Sequence, residues 1–248
     1  MLGNIRSVAK IVLAGVLLTA LAACSSPAPT PTPTATPSPT PTPQPNAIEL
    51  RDRAVEAVRK LSTVQFILSH KVGGTDMGGG IILTTVTGKA SFPDRATLTA
   101  QAVVAALNVN VEIGITQIGP QAFLRDPLSG VWREVDTGSL PFLFAGMNTS
   151  VADAMAAATD ITLTGSDVLG GVPVYVLTAE MPTEPLRGLV PGALADGRLT
   201  VEVRMGQQDS MVRSLRLQGA ILAADTHDMV RFLQLSEFNA TVTIEPPQ

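Results

Sequence analysis

Alternation of apolar and polar residues is the feature that most constrains the fold of this chain. Between residues 64 and 238, short segments place an apolar side chain at every second position, and glycine-rich or polar turns separate them. Successive side chains of a strand point to opposite faces, so this period indicates strands with one buried face. We predict strands over residues 64–68, 81–87, 96–102, 107–113, 121–125, 131–135, 161–164, 172–179, 199–205, 212–222 and 230–238.

The connections between these segments are mostly short, which favours antiparallel pairing. A helix is predicted before the first strand, because Asn46 and Glu49 have the spacing of a capping box and apolar residues follow at helical intervals. The apolar residues of this helix are Leu50, Ala54, Ala57, Val58 and Leu61.

Two segments interrupt the strand pattern. Residues 141–147 are apolar and precede an alanine-rich helix predicted over 151–158, capped by Thr149 or Ser150. Residues 184–191 are predicted to form a short helix or turn. Helices between the strands of one antiparallel sheet usually cover one of its faces. We therefore expect an α+β fold: a strongly curved antiparallel sheet of about ten or eleven strands, with helices covering its concave face.

The N-terminal region predicts export and anchoring. Arg6 and Lys10 precede an apolar stretch, residues 11–23, that is shorter than the roughly 20 residues of a membrane-spanning helix. Residues 21–24, Leu-Ala-Ala-Cys, resemble a bacterial lipobox, so we expect residues 1–23 to be a signal peptide and Cys24 to be the site of lipid attachment. The remainder of 24–46 is rich in proline and threonine and uncharged, which predicts a disordered tether. Residues 47–248 form the predicted domain.

Composition and motifs argue against several functions. One cysteine and two histidines leave little for a metal site, and a net charge of −4 argues against nucleic acid as a partner. No Gly-x-Ser-x-Gly motif is present, residues 78–80 lack the lysine of a phosphate loop, and the scattered acids are interpreted as solvated surface. We predict a protein that is not an enzyme and has no cofactor. Charged residues make up only 15% of the chain, which is consistent with either a large core or a lined cavity.

The order of these features resembles the LppX/LprAFG family of lipoproteins. The segments that carry the resemblance are residues 21–24, 61–66, 123–125, 130–135, 152–155, 159–160, Gly165, 171–175, 235–239 and 245–247. The resemblance implies a half-barrel whose covering helices enclose a hydrophobic cavity. It also implies that the protein binds acylated lipids or glycolipids and carries them between the inner membrane and the outer envelope, with a membrane exporter as a further partner. The long Thr-Pro tether departs from the mycobacterial pattern, so the ligands of mycobacterial members are not carried over.

Residues 141–147 and the helix around Met155 are predicted to form the mouth of this cavity, because mixed Phe, Met and Gly make an adaptable apolar surface. Plain core packing is the other interpretation of each candidate. Two alternative functions stay open: a structural or adhesive envelope module with a packed core, and an accessory subunit that contacts a membrane transporter through residues 141–147. The candidate cavity residues are Ile82, Leu98, Val104, Leu107, Val109, Val111, Ile113, Phe142, Leu143, Phe144, Met147, Met155, Leu186 and Leu189.

Overall fold

The computed structural model describes residues 45–248. The predicted signal peptide, Cys24 and nearly all of the predicted tether lie outside the described residues. Within 45–248, no helix is both long and apolar enough to cross a membrane.

The described residues form one antiparallel sheet of twelve strands that does not close on itself. Its order is β7-β6-β5-β4-β3-β1-β12-β11-β10-β9-β8, and β2 pairs with β3. The first and last strands, β1 and β12, pair with each other in the middle, so the two halves of the chain form the two halves of the sheet. The strands are β1 Thr63–Val72, β2 Thr75–Asp76, β3 Ile81–Ser91, β4 Arg95–Val104, β5 Val109–Ile118, β6 Gln121–Arg125, β7 Trp132–Val135, β8 Thr159–Leu169, β9 Val172–Pro182, β10 Arg198–Gly206, β11 Val212–Gln218 and β12 Val230–Ser236.

Each of the eleven predicted segments overlaps one of these strands, so the predicted antiparallel sheet is confirmed. The two-residue strand β2 is too short to show alternation and was not predicted. Strand β5 begins at Val109 instead of residue 107, because Leu107 belongs to the turn that joins β4 and β5. Strand β11 ends at Gln218, four residues before the predicted end.

Helix α1 spans Ala47–Arg59 and confirms the predicted N-terminal helix. The Asn46 side chain caps it by accepting a hydrogen bond from the backbone N–H of Ile48 at 2.8 Å. Leu50, Ala54 and Val58 are buried at helical spacing, as predicted, while Ala57 is only half-buried and Val55 is buried in addition. The helix therefore presents one apolar face to the core.

Helix α2 spans Met147–Ala156, so it begins four residues before the predicted start. The residue before its first turn is Gly146, which has φ = 71°, a conformation that favours glycine. Thr149 and Ser150 consequently lie inside the first turns and do not cap the helix. Residues Glu184–Gly188 form a 3-10 helix, which confirms the predicted short helix or turn, and a second one spans Thr137–Ser139.

The core is divided between the two halves of the sheet. One cluster packs α1 and α2 against strands β9, β10 and β11, with Leu50 and Met205 fully buried. The other packs Leu140 and Phe144 against β1, β3, β4, β5 and β6. The strand face that carries Leu98 and Leu215 is called the inner face below. Both helices and residues 140–144 contact this face, and they leave a space above the central strands.

Candidate functional site

An apolar pocket of about 230 Å³ lies between the inner face of the central strands and the segments that cover them. The sheet supplies residues of β1, β2, β3, β4, β9, β11 and β12. The cover supplies residues of α1, α2 and the segments 142–148 and 186–190. The lining comprises Val58, Leu61, Val64, Phe66, Leu68, Thr75, Val86, Phe92, Leu98, Phe142, Phe144, Met147, Asn148, Val151, Met155, Met181, Leu186, Leu189, Val190, Val212, Leu215, Leu217, Ile221, Leu222, Arg231, Leu233 and Leu235.

Only three of these side chains are polar: Thr75, Asn148 and Arg231. Cavities lined by aliphatic and aromatic groups stay dry and accept apolar ligands, and one of about 150 Å³ takes benzene. At the same volume per carbon atom as benzene in that cavity, this pocket holds about nine carbon atoms. It can therefore accept part of one acyl chain without any movement of the protein.

Seven of the fourteen candidate cavity residues line this pocket. Leu98 contributes from β4, Phe142, Phe144, Met147 and Met155 from the cover, and Leu186 and Leu189 from the segment after β9. The segment 141–147 and helix α2 thus lie over the central strands. Two long-range backbone hydrogen bonds hold this segment, from Leu143 N to Leu189 O at 2.8 Å and from Gly146 N to Pro93 O at 3.0 Å.

The other seven candidates do not line the pocket. Val104, Val109, Val111 and Ile113 share the inner face with Leu98 but lie farther along the β4–β5 hairpin, where Val109 is 48% exposed. Leu107 is 72% exposed in the hairpin turn. Ile82 points away from the inner face, because its neighbour Leu83 occupies that face opposite Ala102. Leu143 is half-buried beside the pocket.

The residues at the floor of the pocket were not predicted from the sequence. Phe66, Leu68, Leu215, Leu233 and Leu235 line it from β1, β11 and β12. The alternation of these residues could be seen in the sequence. The pairing of β1 with β12 could not, because it joins residues 158 or more positions apart. Only that pairing shows that these strands lie at the centre of the sheet.

A buried ion pair lies at one end of the pocket, where Arg231 belongs to the lining and Asp225 does not. The Arg231 Nη2 group donates to Asp225 Oδ2 at 2.5 Å, and the two side chains are 4% and 0% exposed. Asp225 Oδ2 also accepts from the backbone N–H groups of Ile221 and Leu222, at 2.9 and 3.0 Å. Asp225 was interpreted as solvated surface from its loop position; the structure corrects this, since the turn after β11 folds the carboxylate inward onto Arg231.

Thr75 and His70 extend this polar end of the pocket. Arg231 Nη2 donates to Thr75 Oγ1 at 3.2 Å, and His70 Nε2 lies 2.9 Å from the same oxygen. His70 Nδ1 lies 3.0 Å from the Thr84 carbonyl, so this nitrogen carries the proton and Nε2 accepts from Thr75. Burial holds the pKa of His70 below its ordinary value, and the nearby Arg231 charge acts in the same direction. We define the polar end by His70, Thr75, Asp225 and Arg231.

Nothing in residues 45–248 gathers three or more side chains that could hold a metal ion. Trp132 does not line the pocket, and its ring packs against Gly114 on the outer face of the sheet.

The fold is that of known mycobacterial lipoproteins. The crystal structure of LprF from Mycobacterium bovis matches with a TM-score of 0.62 and 14% identity, covering 83% of this chain and 98% of that protein. The crystal structure of LppX from Mycobacterium tuberculosis matches with a TM-score of 0.52 and 14% identity, covering 80% of this chain and 98% of that protein. At this identity the likeness shows the fold alone.

The family model of the LppX_LprAFG lipoproteins matches residues 46–244, which include nearly all of the described residues. The chain therefore belongs to the LppX/LprAFG lipoprotein family, as the sequence resemblance predicts. No curated protein sequence matches the chain.

Proposed function

We propose that the protein is a membrane-anchored envelope lipoprotein that binds acylated lipids or glycolipids in the apolar pocket and carries them between the inner membrane and the outer envelope. The observation that carries the proposal is the pocket itself, which lies above the central strands and has 24 apolar side chains among its 27 lining residues. Membership of a lipoprotein family supports both the anchor at Cys24 and the lipid ligand.

Burial of an acyl chain supplies the driving force. Each methylene removed from water contributes about 0.8 kcal/mol, so about nine carbons contribute on the order of 7 kcal/mol before the costs of association. The three methionines of the lining, Met147, Met155 and Met181, can adapt to chains of different shape. No catalytic step is part of this function.

Longer chains require the cover to move. The segment 141–147 has little regular structure, and its two long-range backbone hydrogen bonds join it to Leu189 and Pro93. Segments with few such bonds open at low free-energy cost. We propose that this segment moves away from the sheet to admit a lipid. This movement would enlarge the pocket beyond the volume it has when the segment covers the sheet.

The test combines native mass spectrometry with solvent extraction of the full chain, purified from a bacterial host. Leu68 and Leu233 face each other across the β1–β12 pairing and both line the pocket. The double variant Leu68→Trp, Leu233→Trp should fill the space and lose bound lipid. Leu128→Trp is the matched control, because Leu128 is 90% exposed and lies outside the pocket.

Lipid at a defined stoichiometry in the wild type and in Leu128→Trp, but not in the double variant, is the expected result. A wild-type protein that carries no lipid and does not bind added diacyl lipids would contradict the proposal and favour an envelope module with a packed core. An empty protein that copurifies with a membrane transporter, and loses it when residues 141–147 are changed, would favour the accessory subunit.

A further inference from the structure

A second, smaller apolar pocket lies beneath helix α1. Its volume is about 40 Å³, and its walls are formed by α1, α2 and the inner face of strands β8 to β11. Twelve of its thirteen lining residues are apolar, and Arg51 is the other. This space is called the α1 pocket below, and the pocket of about 230 Å³ is called the main pocket.

Three side chains belong to the lining of both pockets: Met155 of α2, Met181 of β9 and Leu215 of β11. All three are buried, with exposures of 4–7%. Because the same side chains border both spaces, they stand between the two pockets. Two of them are methionines, whose unbranched side chains adapt readily to a neighbouring group. A change of rotamer at Met155 and Met181 can therefore join the pockets without a movement of the sheet.

The floor of the sheet continues from one pocket to the other. Leu215, which lines both pockets, pairs with Val203 of β10, and Val203 pairs with Leu177 of β9. Leu217 of the main pocket pairs with Val201 in the same way. The β9 and β10 residues of these pairs line the α1 pocket. Paired strands lie about 4.8 Å apart, so a chain that crosses β11 reaches the α1 pocket within one or two strand spacings.

We propose that the α1 pocket receives the end of an acyl chain that is longer than the main pocket holds, with Met155 and Met181 moving aside to admit it. The proposal rests on the lipid-binding function above and specifies the ligand of the closed protein: a straight chain of about eleven carbon atoms. At the volume per carbon atom of benzene in its cavity, the α1 pocket adds about two carbon atoms to the nine of the main pocket. A chain of about nine carbon atoms or fewer ends in the main pocket.

Straight-chain primary alcohols, from octanol to tridecanol, test the proposal by calorimetric titration of the delipidated full chain. Each methylene that enters an apolar space should tighten binding about fourfold. In the wild type this gain should continue to about eleven carbon atoms and then stop. Ala54→Val places two additional carbon atoms in the α1 pocket and should end the gain about two carbon atoms earlier. Ala57→Val is the matched control, because Ala57 lies on the same helix but lines neither pocket.

Val201→Ala changes the α1 pocket in the opposite direction. Val201 is 3% exposed, and it lines the α1 pocket but not the main pocket. Its truncation removes two carbon atoms from the wall of the α1 pocket. The gain in affinity should therefore continue about two carbon atoms further than in the wild type.

The outcomes separate this inference from the proposed function. A gain that ends at the same chain length in the wild type, Ala54→Val and Val201→Ala would overturn the α1 pocket as part of the site and leave the main pocket standing. An equal shift in Ala57→Val and Ala54→Val would also overturn it, because the shift would then not depend on the pocket. Failure of every alcohol to bind would contradict both proposals. If Ala54→Val does not fold, the comparison of Val201→Ala with the wild type decides alone.

Discussion

Gly88 lies where the sheet has no room for a side chain. It pairs with Phe66 on one side and Leu98 on the other, and both of these residues line the pocket. A Cβ atom at Gly88 would lie 2.7 Å from both Phe66 Cζ and Leu98 Cβ, and 2.8 Å from the Thr97 carbonyl oxygen. The Phe66 ring can turn away, but the other two atoms move only with the backbone of β4. We therefore expect Gly88→Ala to strain the sheet and to push Phe66 into the pocket.

The expected cost is that of inserting a methyl group into a packed core, about 1–3 kcal/mol. For a domain of this size it corresponds to a melting temperature lower by about 2–12 °C. Gly165→Ala is the control, because nothing lies within 4 Å of a Cβ at Gly165 in β8. That variant should be neutral or more stable by up to about 1 kcal/mol, through the reduced freedom of the unfolded chain.

Both variants are measured by urea unfolding and by lipid content in native mass spectrometry. Gly88→Ala should lose stability and bound lipid together, and Gly165→Ala should lose neither. A Gly88→Ala protein as stable as the wild type, with unchanged lipid, would refute the packing described for β1, β3 and β4.

The remaining predictions concern the core, the surface and pH. Leu50→Ala removes a fully buried side chain of α1 and should lower the free energy of unfolding by about 2–5 kcal/mol in urea titrations. Asp153→Ala breaks the half-exposed pair with Arg59, 2.8 Å apart, and the same titration should show a loss below about 1 kcal/mol. Because the pKa of His70 is lowered on folding, unfolded chains bind more protons, so stability should be intact above about pH 6.5 and fall as the pH drops below it. This pH slope should be smaller in His70→Gln, and an identical slope would contradict the burial assigned to His70.

The alternation of apolar residues and the helix-capping signal predicted most of the fold. Alternation identified every strand except β2, and Asn46 with the apolar spacing after it identified α1. These signals are local, since they depend on which residues within a few positions point the same way. The start of α2 was wrong because Gly146 adopts the left-handed conformation before the first turn, a backbone feature that the apolar residues 141–147 do not reveal.

The site was less predictable because it depends on contacts between distant residues. The cover residues Phe142, Phe144 and Met147 could be named from their composition, since apolar residues outside strands must pack on something. The floor residues Leu68 and Leu233 required the pairing of the first strand with the last.

The polar end of the pocket could likewise not be predicted from the sequence. Asp225 follows a strand among turn residues, and in most proteins such an acid faces water. Its burial depends on Arg231, six positions later, and on Thr75, in the other half of the sheet.

The central claim, that the space above β1, β11 and β12 holds an acyl chain, is tested most directly by photo-crosslinking. A lipid with a diazirine at the end of its acyl chain is bound to the full chain and irradiated, and the modified peptides are identified by mass spectrometry. We predict adducts on Leu68, Val86, Leu215 and Leu233, which line the pocket. Adducts confined to exposed apolar residues outside it, such as Leu107 and Leu128, would contradict the account.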